Sequence, residues 1–438
     1  MAVWRLAWPA VLTSALMMTN SILDRIFVGS LGRDALAAAG VGGQITFTVV
    51  SGSIAITVGT TALVARFTGA GEMDNATRAT GQSMALGAVT GVATMFLIYI
   101  LMNPLLAMMG VTGNAAALCR AFLLYALVGH IAGNVGSVLA AAFRGLGDTR
   151  SPLKVMLAAN AMHILGDGTL MLGHWGFPKM GLPGGGLAMA ISLFTSMGLY
   201  FVILLRSPLK ESVRWTYLAP SLHWAWRILR VGIPAALAAV IRSTAMLGFT
   251  AVLARTIEGL NAVAAMPIGL TAESLAFMPG MGFSVAASAL VGQALGARSP
   301  RHAERLGWAA SHQCAVVMST MGVILFLFAE FFARIFTHDP AVLAIAVSYL
   351  RIMAISEPML AYNMVLTGGL QGAGDTIRPT VVTAISFWVF RLPLAWLLAL
   401  QMRMGASGAW VAMAATTILS GFMTIMLFRD GKWKRAKV

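Results

Sequence analysis

The chain is short of charge. Only 10% of its 438 residues are Asp, Glu, Lys or Arg, while 58% are hydrophobic. A soluble domain carries about a quarter charged residues. A large soluble helical bundle is thereby excluded, because its helices would need polar faces at a period of 3.6 and most apolar runs here have none. Cysteine is nearly absent. Cys119 and Cys314 both fall within or beside apolar runs, so they read as small apolar fillers and not as a disulfide or metal pair. There is no His-Glu-x-x-His, no Gly-x-Ser-x-Gly and no catalytic cysteine arrangement, which argues against an enzyme. No cleavable signal is visible either. The first apolar run starts near Leu6 and continues to Val28 without a small-residue cleavage site, and it reads as a first span. The lack of an Arg/Ser-rich transit segment favours a bacterial or archaeal plasma membrane.

What is present is a succession of apolar stretches, most of them long enough to cross a hydrocarbon core of about 30 Å as a helix. Twelve spans are expected, at 6–28, 36–66, 78–101, 117–142, 152–173, 184–205, 225–254, 260–293, 304–329, 341–368, 379–401 and 406–428. The linkers after the even-numbered spans, with the two termini, hold most of the 30 Lys and Arg residues. The positive-inside rule then puts both termini in the cytoplasm of an inner-membrane protein. This placement also explains the net charge of +15 without nucleic acid as a partner. Basic and aromatic residues mix in the longest loop, with Arg206, Lys210, Arg214, Trp215, Tyr217, Trp224 and Trp226, as suits a segment lying on the cytoplasmic interface. The basic tail Lys432, Lys434, Arg435 and Lys437 is placed to touch anionic headgroups. The expected organisation is a six-helix lobe at 1–206, a cytoplasmic interfacial linker at 207–224, a second six-helix lobe at 225–430 and a basic tail at 431–438.

The chain repeats itself. Thr61 to Ala70 (TALVARFTGA) matches Ser288 to Ala297 (SALVGQALGA) at a shift of 227 residues. The same shift maps Arg144 to Pro152 (RGLGDTRSP) onto Gln371 to Pro379 (QGAGDTIRP). Each half has an even number of spans, so both enter from the same side and the repeat is parallel. Transporters built this way bind substrate between their halves and rock them. The two Gly-Asp-Thr stretches do not read as nucleotide loops, because no strand precedes them and no Lys-Ser/Thr follows. Glycines end one helix, Asp or Thr caps the next, and Pro152 or Pro379 sits in its first turn.

These same residues carry a family resemblance. Pro9, Asp24 to Gly32 (DRIFVGSLG) and Ala35 to Ala38 resemble the first helix and loop of the MATE (multidrug and toxic compound extrusion) transporters. Glu273 to Phe283 (ESLAFMPGMGF), Leu290 to Ala297 and the Gly-Asp-Thr loops are similar to the family's corresponding segments. The resemblance implies an all-α membrane protein of twelve helices in two parallel six-helix repeats, arranged as a V-shaped two-lobe bundle. It also implies export driven by protons or sodium ions. The chain is most similar to the DinF-like branch, whose coupling carboxylate Asp24 fits. The NorM-like branch carries an essential acid eight residues after a helix-7 proline. Here the residue eight after Pro234 is Arg242, which argues against that mode of coupling.

Ionisable groups at membrane depth cost roughly 3 kcal/mol or more, so each is a functional candidate. The first half holds Asp24, His130, His163 and Asp167. His163 and Asp167 are four apart on one helix face and can share a proton. The family usually has Asn where His163 stands, and a protonatable nitrogen in place of a sodium-binding amide argues for protons. Asp24, Asp167 and His163 are the expected cation-coupling group. Arg242, Glu273, Glu357, Arg391 and Met278 are the expected substrate-cavity residues of the second half. Arg242 and Glu273 lie on consecutive helices and either neutralise each other or meet the substrate. An unpaired Arg242 would draw an anionic or zwitterionic solute. Arg391 either adds to that field or pairs with Glu357, and Glu357-Pro358 invites a kink. The 29 methionines suit a cavity that accepts several shapes, with Met266, Met278 and Met281 among them.

The expected function is secondary antiport, with organic solutes (drugs, toxins or metabolites) exported against an influx of protons, or of sodium as the second choice. The alternative is a flippase for a lipid-linked or amphipathic anionic precursor. No cofactor and no resident metal are expected. The partners would be a small organic substrate and membrane lipids, and the chain is expected to act as a monomer.

Overall fold

The computed structural model describes residues 2–436, and for residues 2 and 47–51 only the backbone. The chain is almost entirely helix. The first six spans are α1 (Ala2–Gly29), α2 (Arg33–Ala70), α3 (Met73–Met108), α4 (Gly113–Gly145), α5 (Arg150–Gly166) and α6 (Leu182–Leu205). The second six are α7 (Leu222–Leu253), α8 (Gly259–Gly296), α9 (Pro300–Leu327), α10 (the pair Pro340–Ala354 and Glu357–Gly372), α11 (Ile377–Gln401) and α12 (Gly405–Arg429). Among the described residues ten of these are long and apolar enough to cross a membrane, and the bent pair is an eleventh. The twelfth is α5, which a π turn at Asp167–Met171 prolongs. The chain is therefore an all-α protein of twelve helices in two six-helix repeats.

Local sequence explains the interruptions. Glu357-Pro358 breaks α10 by 60°, where the proline ring removes a backbone donor. Asp148 caps α5, accepting from the backbone N–H groups of Arg150 and Ser151 at 3.0 Å each. Gly147 and Gly374 take positive φ (83° and 86°) at the two repeated loops, which is the conformation a side chain resists.

The chain divides into two compact units, Leu12–Gly232 and Met1–Val11 with Ile233–Val438. The divisions fall inside α1 and α7, and glycine is the reason in both places. A Cβ on Gly282 would lie 2.7 Å from the backbone nitrogen of Val11, and one on Gly232 would lie 1.6 Å from the carbonyl oxygen of Ala55. Such close backbone contact is how helices associate in lipid, where burial of oil against oil gives no drive. Small residues also fill the second unit's core, where Ala265, Ala272, Ala346, Ala395 and Ala409 surround Phe249, Tyr349 and Trp410. Cys119 and Cys314 are buried, unpaired members of such cores.

The linker is clamped rather than merely laid on a surface. Gln82 of α3 donates to the carbonyls of Tyr217 (2.7 Å) and Ala219 (2.6 Å) and accepts from Ser221 N–H (2.9 Å). Tyr217 donates its phenol proton to Asp74 at 2.5 Å, and this bond holds its pKa above the usual value. Trp215 and Trp226 stay exposed, while Trp224 is buried. The basic tail is likewise engaged. Trp433 is fully buried, stacks on Phe428 and donates to its carbonyl at 2.7 Å. Lys434 pairs with Glu304 at 2.8 Å and Lys432 with Asp430 at 3.1 Å. Lys437 lies outside the described residues.

Candidate cation-coupling site and second-unit acid cluster

In the first unit α1 and α5 bring Asp24, His163 and Asp167 together. One ligand-capable atom from each lies within 4.8 Å of the others. Asp167 is 1% exposed, and it opens the π turn that ends α5. Such wide turns shift side-chain direction and recur at functional sites. Gly185 of α6 keeps the place open, since a Cβ there would lie 2.8 Å from Met171 and 3.7 Å from Asp167 Oδ1. His163 Nε2 is 3.7 Å from Asp167 Oδ2.

A residue that sequence reasoning passed over completes the group. Asn20, one turn before Asp24, places its amide nitrogen 3.0 Å from His163 Nδ1 and 3.4 Å from Asp24 Oδ2. With the amide donating, Nδ1 accepts, and Nε2 is left to carry the proton toward Asp167. Asn20 thus returns an amide to a site where His163 stands in place of one. Asp24 Oδ1 and both Asp167 oxygens have no hydrogen-bond partner. Two carboxyls this close in a low dielectric repel each other when both are ionised. A proton or a small cation between them relieves that repulsion, so the arrangement is suited to take one up and release it. His130 is also buried, in α4, with its Nε2 unpartnered, and it stands outside this group.

The second unit gathers a different set. Glu273 of α8 is buried and accepts a short hydrogen bond from the Tyr349 hydroxyl of α10. Glu357 is fully buried with both carboxyl oxygens unpartnered. Arg391 ends a π turn at Ile385–Arg391 in α11. It donates to the hydroxyls of Thr416 and Thr417 at 2.9 Å each and lies 4.0 Å from the Phe387 ring. Arg391 and Glu357 form no ion pair among the described residues. Arg242 is exposed and forms no ion pair with Glu273, so mutual neutralisation of those two is corrected. Consecutive position along the chain did not bring their helix faces together, and Glu273 turns toward α10 instead. Met278 is half-buried on α8 and Met281 is exposed. Met266 packs against the second unit's core beside Thr250.

The fold and these two buried ionisable groups define a membrane-spanning helical transporter of two repeats. The MatE family model matches the chain twice, over residues 9–167 and 234–397, and the chain belongs to that family. It is 32% identical to "Probable multidrug resistance protein NorM" of Thermotoga maritima, over 99% of this chain and 93% of that protein. It is 28% identical to multidrug resistance protein PmpM of Pseudomonas aeruginosa, over 92% and 86% of the two chains. Among solved structures, the Vibrio cholerae MATE transporter VcmN in its bent form superposes with a TM-score of 0.91. That match covers 98% of this chain and 96% of the other at 21% identity. It is a likeness of fold.

Proposed function

We propose that the protein is a proton-coupled antiporter that exports organic solutes across the plasma membrane, with both termini in the cytoplasm. The observation that carries this reading is the Asp24–His163–Asp167 group with Asn20 between its members. Two carboxyls and an imidazole around one point form an element whose net charge changes with each proton it takes up, which a proton gradient can bias. The relatives named for multidrug resistance supply the substrate class, organic solutes of several shapes. Sodium is the competing ion, since the same oxygens and nitrogen could ligate a small cation. His163, where the family usually has Asn, favours the proton. The alternative, a flippase for an anionic amphipathic precursor, draws its support from Arg242, which is exposed and without an ion pair among the described residues.

The test is transport in sealed proteoliposomes under an imposed pH gradient or an imposed sodium gradient. Dye efflux driven by the pH gradient and indifferent to sodium is the expected result. Efflux that follows sodium alone would overturn proton coupling. Movement of a fluorescent anionic lipid between leaflets, with no dye efflux under either gradient, would favour the flippase.

A further inference from the structure

The two units end differently on the side where α4 meets α5. In the first unit a cavity of about 630 Å³ opens there, lined by Thr68, Met73, Phe143, Asp148, Lys154 and Arg206 among others. Lys154 and Arg206 are both exposed and form no ion pair among the described residues. Asp148 forms no ion pair with either of them among the described residues, and its oxygens accept from the α5 cap and from the Ser151 hydroxyl at 2.5 Å.

The repeat shows what this cavity lacks. At the shift of 227, Asp148 corresponds to Asp375, Ser151 to Arg378 and Lys154 to Val381. In the last span of each half, Ala188 to Ser192 (AMAIS) aligns with Ala412 to Thr416 (AMAAT), which makes Arg206 the counterpart of Asp430 and Leu209 that of Trp433. The second unit is internally satisfied. Arg378 pairs with Asp375 at 2.7 Å and Asp430 at 3.5 Å, and Trp433 fills the space among Leu295, Leu370 and Ala373. The first unit has a smaller Leu209 in place of the tryptophan and Arg206 in place of the acid. Over the four positions besides Leu209 the second unit carries two acids and one cation, the first carries one acid and two cations, and a volume has been left open.

We infer that this cavity holds the phosphate of an anionic lipid headgroup between Lys154 and Arg206. The lipid is favoured as the source because the two cations stand near span ends, in the second turn of α5 and just past α6. That is the depth of headgroup phosphates if the helices cross the membrane as proposed above. A lysine or arginine at that level attracts anionic lipid appreciably, and an arginine can also grip phosphate with two parallel donors.

The experiment is native mass spectrometry of the detergent-purified protein titrated with phosphatidylglycerol, phosphatidylcholine or inorganic phosphate. Wild type should retain phosphatidylglycerol in preference to phosphatidylcholine. Lys154→Ala with Arg206→Ala should weaken that binding by about tenfold or more. Arg206→Asp, which installs the second unit's acid, should weaken it as much without lowering the Tm. Arg301→Ala with Arg305→Ala, which removes two exposed cations from α9, should leave it unchanged. Inorganic phosphate bound as tightly as the lipid supports the anion site and overturns its lipid source. Unchanged lipid binding in the first pair, or equal loss in the α9 pair, overturns the site itself. This readout does not depend on transport, so failure of the antiport reading would be seen separately.

Discussion

Among the buried carboxyls Glu273 has a hydrogen-bond donor, in Tyr349. Tyr349→Phe keeps the ring and removes the hydroxyl, which leaves a buried acceptor unsatisfied. The expected loss is about 1–3 kcal/mol, visible as a lower Tm in detergent. An unchanged Tm would mean that Glu273 finds another donor. In the first unit, Asn20→Ala should alter the pH dependence of transport more than the stability, because Asn20 fixes which His163 nitrogen is free. An unaltered pH profile alongside normal expression would count against that role. Asp24, His163 and Asp167 were legible in the sequence because an ionisable group in an apolar run announces itself. Asn20 and Tyr349 were not. An amide or a phenol in a span becomes meaningful only when a partner helix delivers an acid or an imidazole to it. The Arg242–Glu273 pairing failed for the same reason, since chain order gives neighbouring helices but not their facing sides.

At the scale of helices, glycine sets how closely backbones meet. A Cβ on Gly372 would lie 1.9 Å from the carbonyl oxygen of Ser288, whereas one on Gly198 would meet nothing within 4 Å. Gly372→Ala should therefore destabilise by about 1–3 kcal/mol, the range for overpacking. Gly198→Ala should be neutral or stabilising by up to about 1 kcal/mol, since it only improves helix propensity. Thermal unfolding of both variants checks the contrast, and equal effects would contradict it. The bend at Glu357-Pro358 was readable because proline has one steric consequence in a helix. The π turns at Asp167–Met171 and Ile385–Arg391 were not, because a span apolar on most of its faces shows no phase for an extra residue to shift. They matter most, since one opens at Asp167 and the other closes at Arg391.

For the whole molecule, the repeat was plain in two blocks at one shift, and the family model's two matches fall on the two halves. The division inside α1 and α7 was hidden, because a continuous apolar helix carries no mark where its packing partner changes. The proposed orientation makes a topological prediction. Cysteines introduced at Ser151 and Ser299 should react with a membrane-impermeant thiol reagent only from the cytoplasmic side. One at Lys179 should react only from outside. The native cysteines are buried and should stay silent. Labelling of Ser151→Cys and Lys179→Cys from the same side would contradict the arrangement.

The central claim is that Asp24, His163 and Asp167 exchange protons for substrate. It is tested most directly by proton release from purified protein in weakly buffered detergent when a transported dye is added. Wild type should release protons, and Asp24→Asn should release few or none while keeping the wild-type Tm. His163→Asn, which restores the family's usual residue, should make coupling more tolerant of sodium. Full proton release and undiminished gradient-driven efflux in Asp24→Asn would contradict the account and move the coupling site to Glu273 and Glu357.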